Sequence, residues 1–140
     1  MIAARDLHLV VVTPEKTLLD LPVRSLRFPL FDGQIGVLPG RAPLVGRLGS
    51  GELKFELVGG TTDRYYVEEG FVQIKEGTVT LLTNRAIAVA SVDVEQAQKE
   101  LDAAVASTPD GAVEKQVRAK VIDRNRKLIQ LRSQKISERA

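Results

Sequence analysis

Apolar and polar positions alternate in short runs over the first ninety residues, which is the pattern of half-buried β-strands. The runs that predict strands are Leu7–Thr13, Val23–Phe28, Leu53–Leu57, Phe71–Lys75 and Thr78–Thr83. Turn signals separate several of them: Gly59-Gly60, Glu69-Gly70 and Glu76-Gly77. Many short strands, spaced roughly ten residues apart, predict a β-sandwich or a flattened barrel.

Beyond about residue 90 the apolar period changes to that of an α-helix. Ser91 or Asp93 can cap a first helix, whose apolar positions are Val94, Ala97, Leu101, Ala104 and Val105. Ser107–Gly111 predicts a turn, and a second helix follows with a stripe of Val113, Val117, Val121, Leu128 and Leu131. The chain therefore predicts two domains, residues 1–90 and an antiparallel helical hairpin over residues 91–140.

Charge is divided between the two predicted helices. Residues 91–110 carry five acids and one base, a net charge of −4, whereas residues 111–140 carry nine bases and three acids, a net of +6. The two helices attract each other when they are folded together. Because their alanine- and valine-rich stripes bury little area, we expect the hairpin to be held marginally. Once opened, the second helix is a basic rod that would suit an acidic partner.

Composition gives no positive signal for an enzyme. The chain has no cysteine and one histidine, His8, which disfavours thiolate chemistry, a zinc site and a Ser-His-Asp triad. We expect His8 to face solvent or a partner. The net charge of +2 does not favour nucleic acid or anionic lipid as a partner. No signal-peptide pattern or membrane-spanning apolar run is present, so we expect membrane association only through a complex.

Several charged residues allow two interpretations. Adjacent Glu68 and Glu69 are expected to be solvated strand-end charges rather than a glycosidase pair. Arg124 falls on the stripe of the second helix. In one interpretation, its aliphatic part packs at the edge of the interface between the helices and its guanidinium group lies in solvent. In the other, its charge pairs with an acidic partner or ligand once the hairpin moves. Arg118, Arg126 and Arg132 lie elsewhere around this helix and are expected to be solvated.

The segment GQIGVLPGRAPLV, Gly33–Val45, contains three glycines and two prolines among aliphatic residues. It lacks the lysine and the strand-to-helix context of a phosphate-binding loop, and no GxSxG elbow is present. Glycines permit tight turns and prolines fix extended backbone, so the segment predicts a rigid loop. Such a loop is either a docking surface or a well-packed hairpin turn without a partner.

The run from Asp32 to Leu44, DGQIGVLPGRAPL, resembles the hallmark of the epsilon subunit of the bacterial type of rotary F-type ATP synthase. Further resemblance lies in Val11–Pro14, Leu48–Leu53, Val67–Val72 and Val79–Ala86, and the helical tail also fits. The resemblance implies an α+β fold, a flattened antiparallel β-sandwich of about ten short strands followed by a two-helix hairpin. It also implies a non-catalytic rotor subunit that couples proton flow to ATP synthesis.

By position, the resemblance implies contacts for the β-domain. Asp32 and Gln34 match the tip that meets the c-ring, and the segment Arg41, Ala42, Pro43 and Leu44 matches the part that lies against the gamma subunit. Arg41 stands where the family usually has histidine, which removes a basis for pH sensitivity there. The subunit is expected on the cytoplasmic face of a bacterial inner membrane, as a peripheral part of the complex.

For the hairpin, the resemblance implies a mobile inhibitor of ATP hydrolysis. Its basic face, with Arg118, Arg124 and Arg126, would meet acidic segments of the catalytic alpha and beta subunits. Some members bind regulatory ATP through a motif that Asp93 and Ala97 match, with Arg124 as a candidate helper. Gln96 replaces the arginine of that motif, so we expect ATP binding to be weak or absent.

Two other classes of function stay open at this point. One is a free-standing β-sandwich module that binds a ligand or protein and dimerises through its helical tail, which predicts a deep concave pocket. The other is a hydrolase with an unrecognised site. Aromatic residues make up 4% of the chain, which disfavours an aromatic-lined pocket.

Overall fold

The computed structural model describes residues 7–134, which form two compact units that divide between Ile87 and Ala88. The strands are β1 (Leu7–Thr13), β2 (Lys16–Leu30), β3 (Gly33–Val37), β4 (Leu44–Leu57), β5 (Thr62–Lys75), β6 (Thr78–Thr83) and β7 (Ala86–Ala88). A 3-10 helix, Val89–Ser91, precedes α1 (Val94–Ala106) and α2 (Ala112–Ser133). No helix within this part of the chain combines the length and apolar character needed to cross a bilayer.

The strands form one continuous sheet that closes on itself. Its order is β1-β6-β5-β4-β2-β3, and β1 also pairs with β2, while β7 pairs with β5. The β1–β6 pairing is parallel, and the other pairings along this order are antiparallel. A β-rich domain followed by two helices confirms the predicted fold class.

Seven strands are present in the described residues, where about ten short ones were expected. The difference arises because β2, β4 and β5 are 15, 14 and 14 residues long. The first half of β2 pairs with β1 and its second half with β3 and β4, with register shifts at Thr17–Leu19, Val23–Ser25 and Arg27–Leu30. Bulges let one strand turn a corner of the sheet, so a single long strand does the work of two short ones.

The core of the β-domain lies inside the closed sheet and follows the predicted alternation. In β1, Leu7, Leu9 and Val11 are buried. His8, on the opposite face, contacts the carboxylate of Asp20 on β2 through its Nε2. The other large buried side chains include Phe28, Leu48, Leu53, Phe55, Val67, Ile74 and Leu81. This unit therefore has a core of its own.

The helical hairpin has a sparse apolar interface. Asp93 is the N-cap of α1, where its carboxylate accepts a hydrogen bond of 3.1 Å from the backbone N–H of Gln96. Ala97 is the buried residue of α1, and Asn125, Leu128 and Leu131 are those of α2. An alanine and an asparagine contribute little apolar area, so the expectation of a marginally held hairpin fits this packing.

The predicted stripe of α2 is wrong in its first half. Val113 and Val117 are 68% and 55% exposed. In this half of α2, Arg118 and Val121 are half-buried. Arg118, which directly follows the predicted Val117, thus takes the place of that valine on the inner face. The carbonyl groups at the end of α1 bind Arg118, and this contact orients the first turns of α2 so that the two valines face outward.

Candidate functional site

The β2–β3 turn projects polar residues into solvent. β3 pairs with the end of β2 through Leu30–Gly33 and Pro29–Gln34. Asp32 and Gln34 are both exposed at this turn. Gly33 has a φ of +144°, a conformation that glycine adopts without strain, and a Cβ there would meet no atom within 4 Å. The polar side chains of this turn are therefore accessible to a partner, as the predicted contact requires. That these residues meet the c-ring stays a prediction.

The segment that follows β3 is an exposed turn. Gly40 has a φ of +92°, and the Arg41 N–H donates to the Leu38 carbonyl at 3.3 Å. Arg41, Ala42 and Pro43 are exposed, whereas Leu44 packs partly against the core as β4 begins. The predicted gamma-contact segment is therefore accessible at its first three residues and anchored by its fourth.

A row of mainly apolar side chains crosses the outside of the sheet. Directly paired residues point to the same side, and Arg47 pairs with Phe71, which pairs with Leu82, which pairs with Val12. Phe71 and Leu82 are 58% and 49% exposed. Phe31 extends the row, because its N–H donates to the Arg47 carbonyl at 2.8 Å. We call Phe31, Arg47, Phe71, Leu82 and Val12 the outer apolar row.

Phe31 is held in place although its ring is 67% exposed. The guanidinium carbon of Arg47 lies 4.3 Å from the centroid of this ring, a cation–π contact that fixes both side chains. Val45, 77% exposed, lies two residues before Arg47 on the same face of β4. It connects the outer apolar row to the Arg41–Leu44 segment. Contiguous exposed apolar surface of this kind marks protein interaction sites.

Sequence reasoning missed the outer apolar row, although one signal was available. Within Phe71–Lys75, Val72 and Ile74 are buried, so Phe71 shares the outer face with Gln73 and Lys75. An aromatic residue on the polar face of an alternating strand is unusual, and it points to a partner. The pairing across strands that assembles the row could not be predicted from local patterns.

Glu68 is buried, so the expectation of a solvated strand-end charge is wrong for it. Its side chain accepts a hydrogen bond of 2.8 Å from the Tyr66 hydroxyl, and Arg85 Nε lies 3.7 Å from its other oxygen. Glu69 has a φ of +53° and interrupts the β4–β5 pairing, although the register is the same on either side, with Leu48 opposite Gly70 and Ser50 opposite Glu68. Tyr66, Val67 and Glu68 are buried consecutively just before this interruption.

Replacing Thr83 with valine is expected to destabilise the β-domain by about 1–2 kcal/mol. The Thr83 hydroxyl accepts from the Glu68 N–H at 3.0 Å and lies 3.0–3.1 Å from the Arg85 and Glu68 carbonyls. Valine has the same shape but none of these bonds. Urea unfolding measures the cost. Thr80→Val, on the outer face of the same strand, is the control, and an equal loss there would show that the buried bonds contribute nothing.

The candidate ATP residues lie in the hairpin, but no contact assembles them. The Asp93 carboxylate caps α1, and no ion pair within residues 7–134 involves it. Ala97 is buried and Arg124 is half-buried. In the described chain, no group of three or more His, Asp or Glu side chains could hold a metal ion. The expectation that ATP binding is weak or absent stays a prediction.

Arg118 and Arg126 occupy different environments on α2. Arg118 donates from Nε to the Ala104 carbonyl at 2.8 Å and from Nη2 to the Val105 carbonyl at 3.1 Å. The expectation that it is solvated is therefore wrong, because the end of α1 offers carbonyls without helical partners. Arg126 is exposed, as expected.

Comparison with known proteins gives a consistent family. Residues 6–89 match the family model described as ATP synthase, Delta/Epsilon chain, beta-sandwich domain. An ATP synthase epsilon chain of Rhodopirellula baltica is 44% identical over 110 residues, 76% of this chain and 85% of that one. An epsilon chain of Granulibacter bethesdensis is 39% identical over 93 residues, 66% of this chain and 69% of that one.

Solved structures show a similar fold. A chain of the Euglena gracilis mitochondrial ATP synthase, in a structure of OSCP, F1 and c-ring, is 26% identical with a TM-score of 0.68, covering 90% of this chain and 76% of that one. A chain of the Tetrahymena thermophila enzyme has a TM-score of 0.67 at 13% identity, with 91% and 96% covered, which speaks for the fold alone. The family model spans more than half of the chain and the Rhodopirellula relative is matched over most of its length, so this chain belongs to the ATP synthase epsilon chain family.

Proposed function

We propose that this chain is a non-catalytic rotor subunit of a proton-translocating F-type ATP synthase, which couples rotation to ATP synthesis and slows ATP hydrolysis through its hairpin. The outer apolar row carries the first part of the proposal. An exposed stripe of two phenylalanines, a leucine and a valine, with one arginine, has the composition of a protein-binding surface. Its partner is the gamma subunit, which would bury the row together with the Arg41–Leu44 segment.

The turn that carries Asp32 and Gln34 meets the c-ring in this proposal. Both residues are exposed and polar, which suits a rim contact between parts that turn together. Through these contacts the chain lies at the cytoplasmic face of a bacterial inner membrane as a peripheral part of the complex. It binds no cofactor in this role, and its partners are proteins.

In this proposal the helical hairpin is the part that inhibits ATP hydrolysis. Residues 111–140 carry a net charge of +6, and α2 keeps Val113 and Val117 exposed in the described state. A basic helix with an unburied apolar stripe fits an acidic groove that is partly apolar. The catalytic alpha and beta subunits would provide that groove when the hairpin opens, and Arg124 and Arg126 would pair with their acidic segments there.

We expect the whole chain to slow ATP hydrolysis by a gamma-containing catalytic head, and a chain cut after Ala90 to bind without slowing it. The cut removes α1 and α2 but leaves every member of the β-domain core in place. ATPase rate and binding are measured on the same samples. As a control, excess cut chain should relieve inhibition by competing with the whole chain. Binding by both forms without inhibition would leave a coupling role alone, and binding by neither would refute the proposal.

A further inference from the structure

Arg118 joins the two helices of the hairpin through backbone carbonyls rather than through a carboxylate. It lies two turns into α2, and its Nε and Nη2 donate to Ala104 and Val105 in the last turn of α1. The last carbonyls of a helix have no partner within the helix and carry the negative end of its dipole. A guanidinium group satisfies two of them at once, because its donors are held in a rigid fork.

The end of α1 has few other partners. It has no basic residue in its own last turn, and its C-cap residue Ser107 reaches only the Ala104 carbonyl, from Oγ at 2.7 Å and from N at 3.2 Å. Among the described residues, Arg118 alone donates a side-chain hydrogen bond to Val105. The cation that complements this helix end therefore comes from the other helix.

Little else in the described residues fastens α1 to α2. The other side-chain hydrogen bond between them runs from Asn125 Nδ2 to Glu100 Oε1 at 3.5 Å, at the limit of a hydrogen bond. Ala97 is the one buried residue of α1. The Arg118 fork, at 2.8 and 3.1 Å, is thus the strongest polar contact in this interface.

We propose that Arg118 is a latch that holds the hairpin closed, so that its release is a step in opening rather than a contact made by the opened helix. This inference rests on the proposed function for its regulatory meaning. One guanidinium cannot cap α1 and pair with an acidic partner of an opened α2 at the same time. Arg118 therefore acts opposite in sign to the exposed Arg126: neutralising Arg118 frees the hairpin, whereas neutralising Arg126 weakens the inhibition of hydrolysis.

The test follows the hairpin in the full chain. Because the chain has no cysteine, Ala103→Cys and Ala119→Cys on the exposed faces of α1 and α2 accept two spin labels without competing sites. In the doubly labelled wild type we expect a single short distance. Arg118→Ala should raise the opened, long-distance fraction about tenfold, as expected for loss of a charge-assisted contact. Arg118→Lys keeps the charge but loses the fork, so it should also open the hairpin.

Arg126→Ala is the matched control, since Arg126 lies on the same helix, is exposed and has no hydrogen bond or ion pair within residues 7–134. An opened fraction that is the same in Arg118→Ala, Arg126→Ala and wild type would overturn the latch. Hydrolysis by the catalytic head is then measured with Arg118→Lys, which should inhibit at lower concentration than wild type. If the hairpin of Arg118→Lys opens but this variant inhibits hydrolysis no better than wild type, the proposed regulatory role of Arg118 is wrong. If the hairpin opens in the Arg118 variants but even the wild type does not inhibit ATP hydrolysis, the proposed inhibitory function is wrong, whereas the role of Arg118 in holding the hairpin closed is supported.

Discussion

Gly70→Ala is expected to destabilise the β-domain by about 4 kcal/mol or more. A Cβ at this position would lie 1.8 Å from the Leu82 carbonyl oxygen and 2.9 Å from the Thr83 Cα. Both atoms belong to the backbone of β6, so no side chain can move aside. The β5–β6 ladder, which pairs Gly70 with Thr83, would have to open at this point.

Gly60→Ala is the control that measures the cost of backbone strain without the steric clash expected at Gly70. Gly60 also has a positive φ, +102°, compared with +134° at Gly70, but a Cβ there would meet no atom within 4 Å. The strain alone should cost about 1–2 kcal/mol. Urea or thermal unfolding of both variants gives the difference. Equal losses would mean that the sheet shifts to admit the methyl group and that close approach is not why glycine stands at position 70.

This loss is large relative to the total stability of a small domain, about 5–15 kcal/mol. Gly70 also lies between Glu68, which is buried, and Phe71, which belongs to the outer apolar row. Glu68 and Phe71 are three residues apart in a strand whose register does not shift, so their side chains lie on opposite sides of the sheet. The glycine therefore maintains both the core and the proposed docking face.

Local alternation was sufficient to predict that β1, β6 and part of β5 are half-buried strands, and the sharp change of period near residue 90 was sufficient to predict the helices. Glu69-Gly70, however, lies inside β5 and is not a turn between strands. Glycine permits both structures, and only pairing with another strand distinguishes them. For that reason the sequence suggested more and shorter strands than the chain forms.

The functional surfaces show the same limit. The exposed Asp32, Gln34 and Arg41 could be predicted because one contiguous motif carries them. The outer apolar row could not, since its members come from four strands and the β2–β3 turn and meet only through the register of the sheet. The interhelical contact of Arg118 could not be predicted for a related reason. Periodicity describes the face of a helix, whereas the partners of Arg118 are backbone carbonyls of another helix.

Phe71→Ala is expected to weaken binding to a gamma-containing head about 30-fold, which corresponds to about 2 kcal/mol for a central aromatic contact. Phe71 stands in the middle of the outer apolar row, with Arg47 on one side and Leu82 on the other. Its ring is 58% exposed, so its removal should cost the free chain little stability. Titration of the head with labelled chain gives the affinity, and thermal unfolding verifies the fold.

Val58→Ala is the control for this experiment, because Val58 is equally exposed, at 57%, but lies after β4 and outside the row. Arg41→Ala tests the other proposed gamma contact. If Phe71→Ala binds like wild type while Arg41→Ala is impaired, the Arg41–Leu44 segment makes the contact and the row serves another partner. Loss in both variants, with Val58→Ala unchanged, would mean that one surface runs from Arg41 through Val45 to the row. The exposed positions of Arg41 and Val45 and the shared face of Val45 and Arg47 favour this last result.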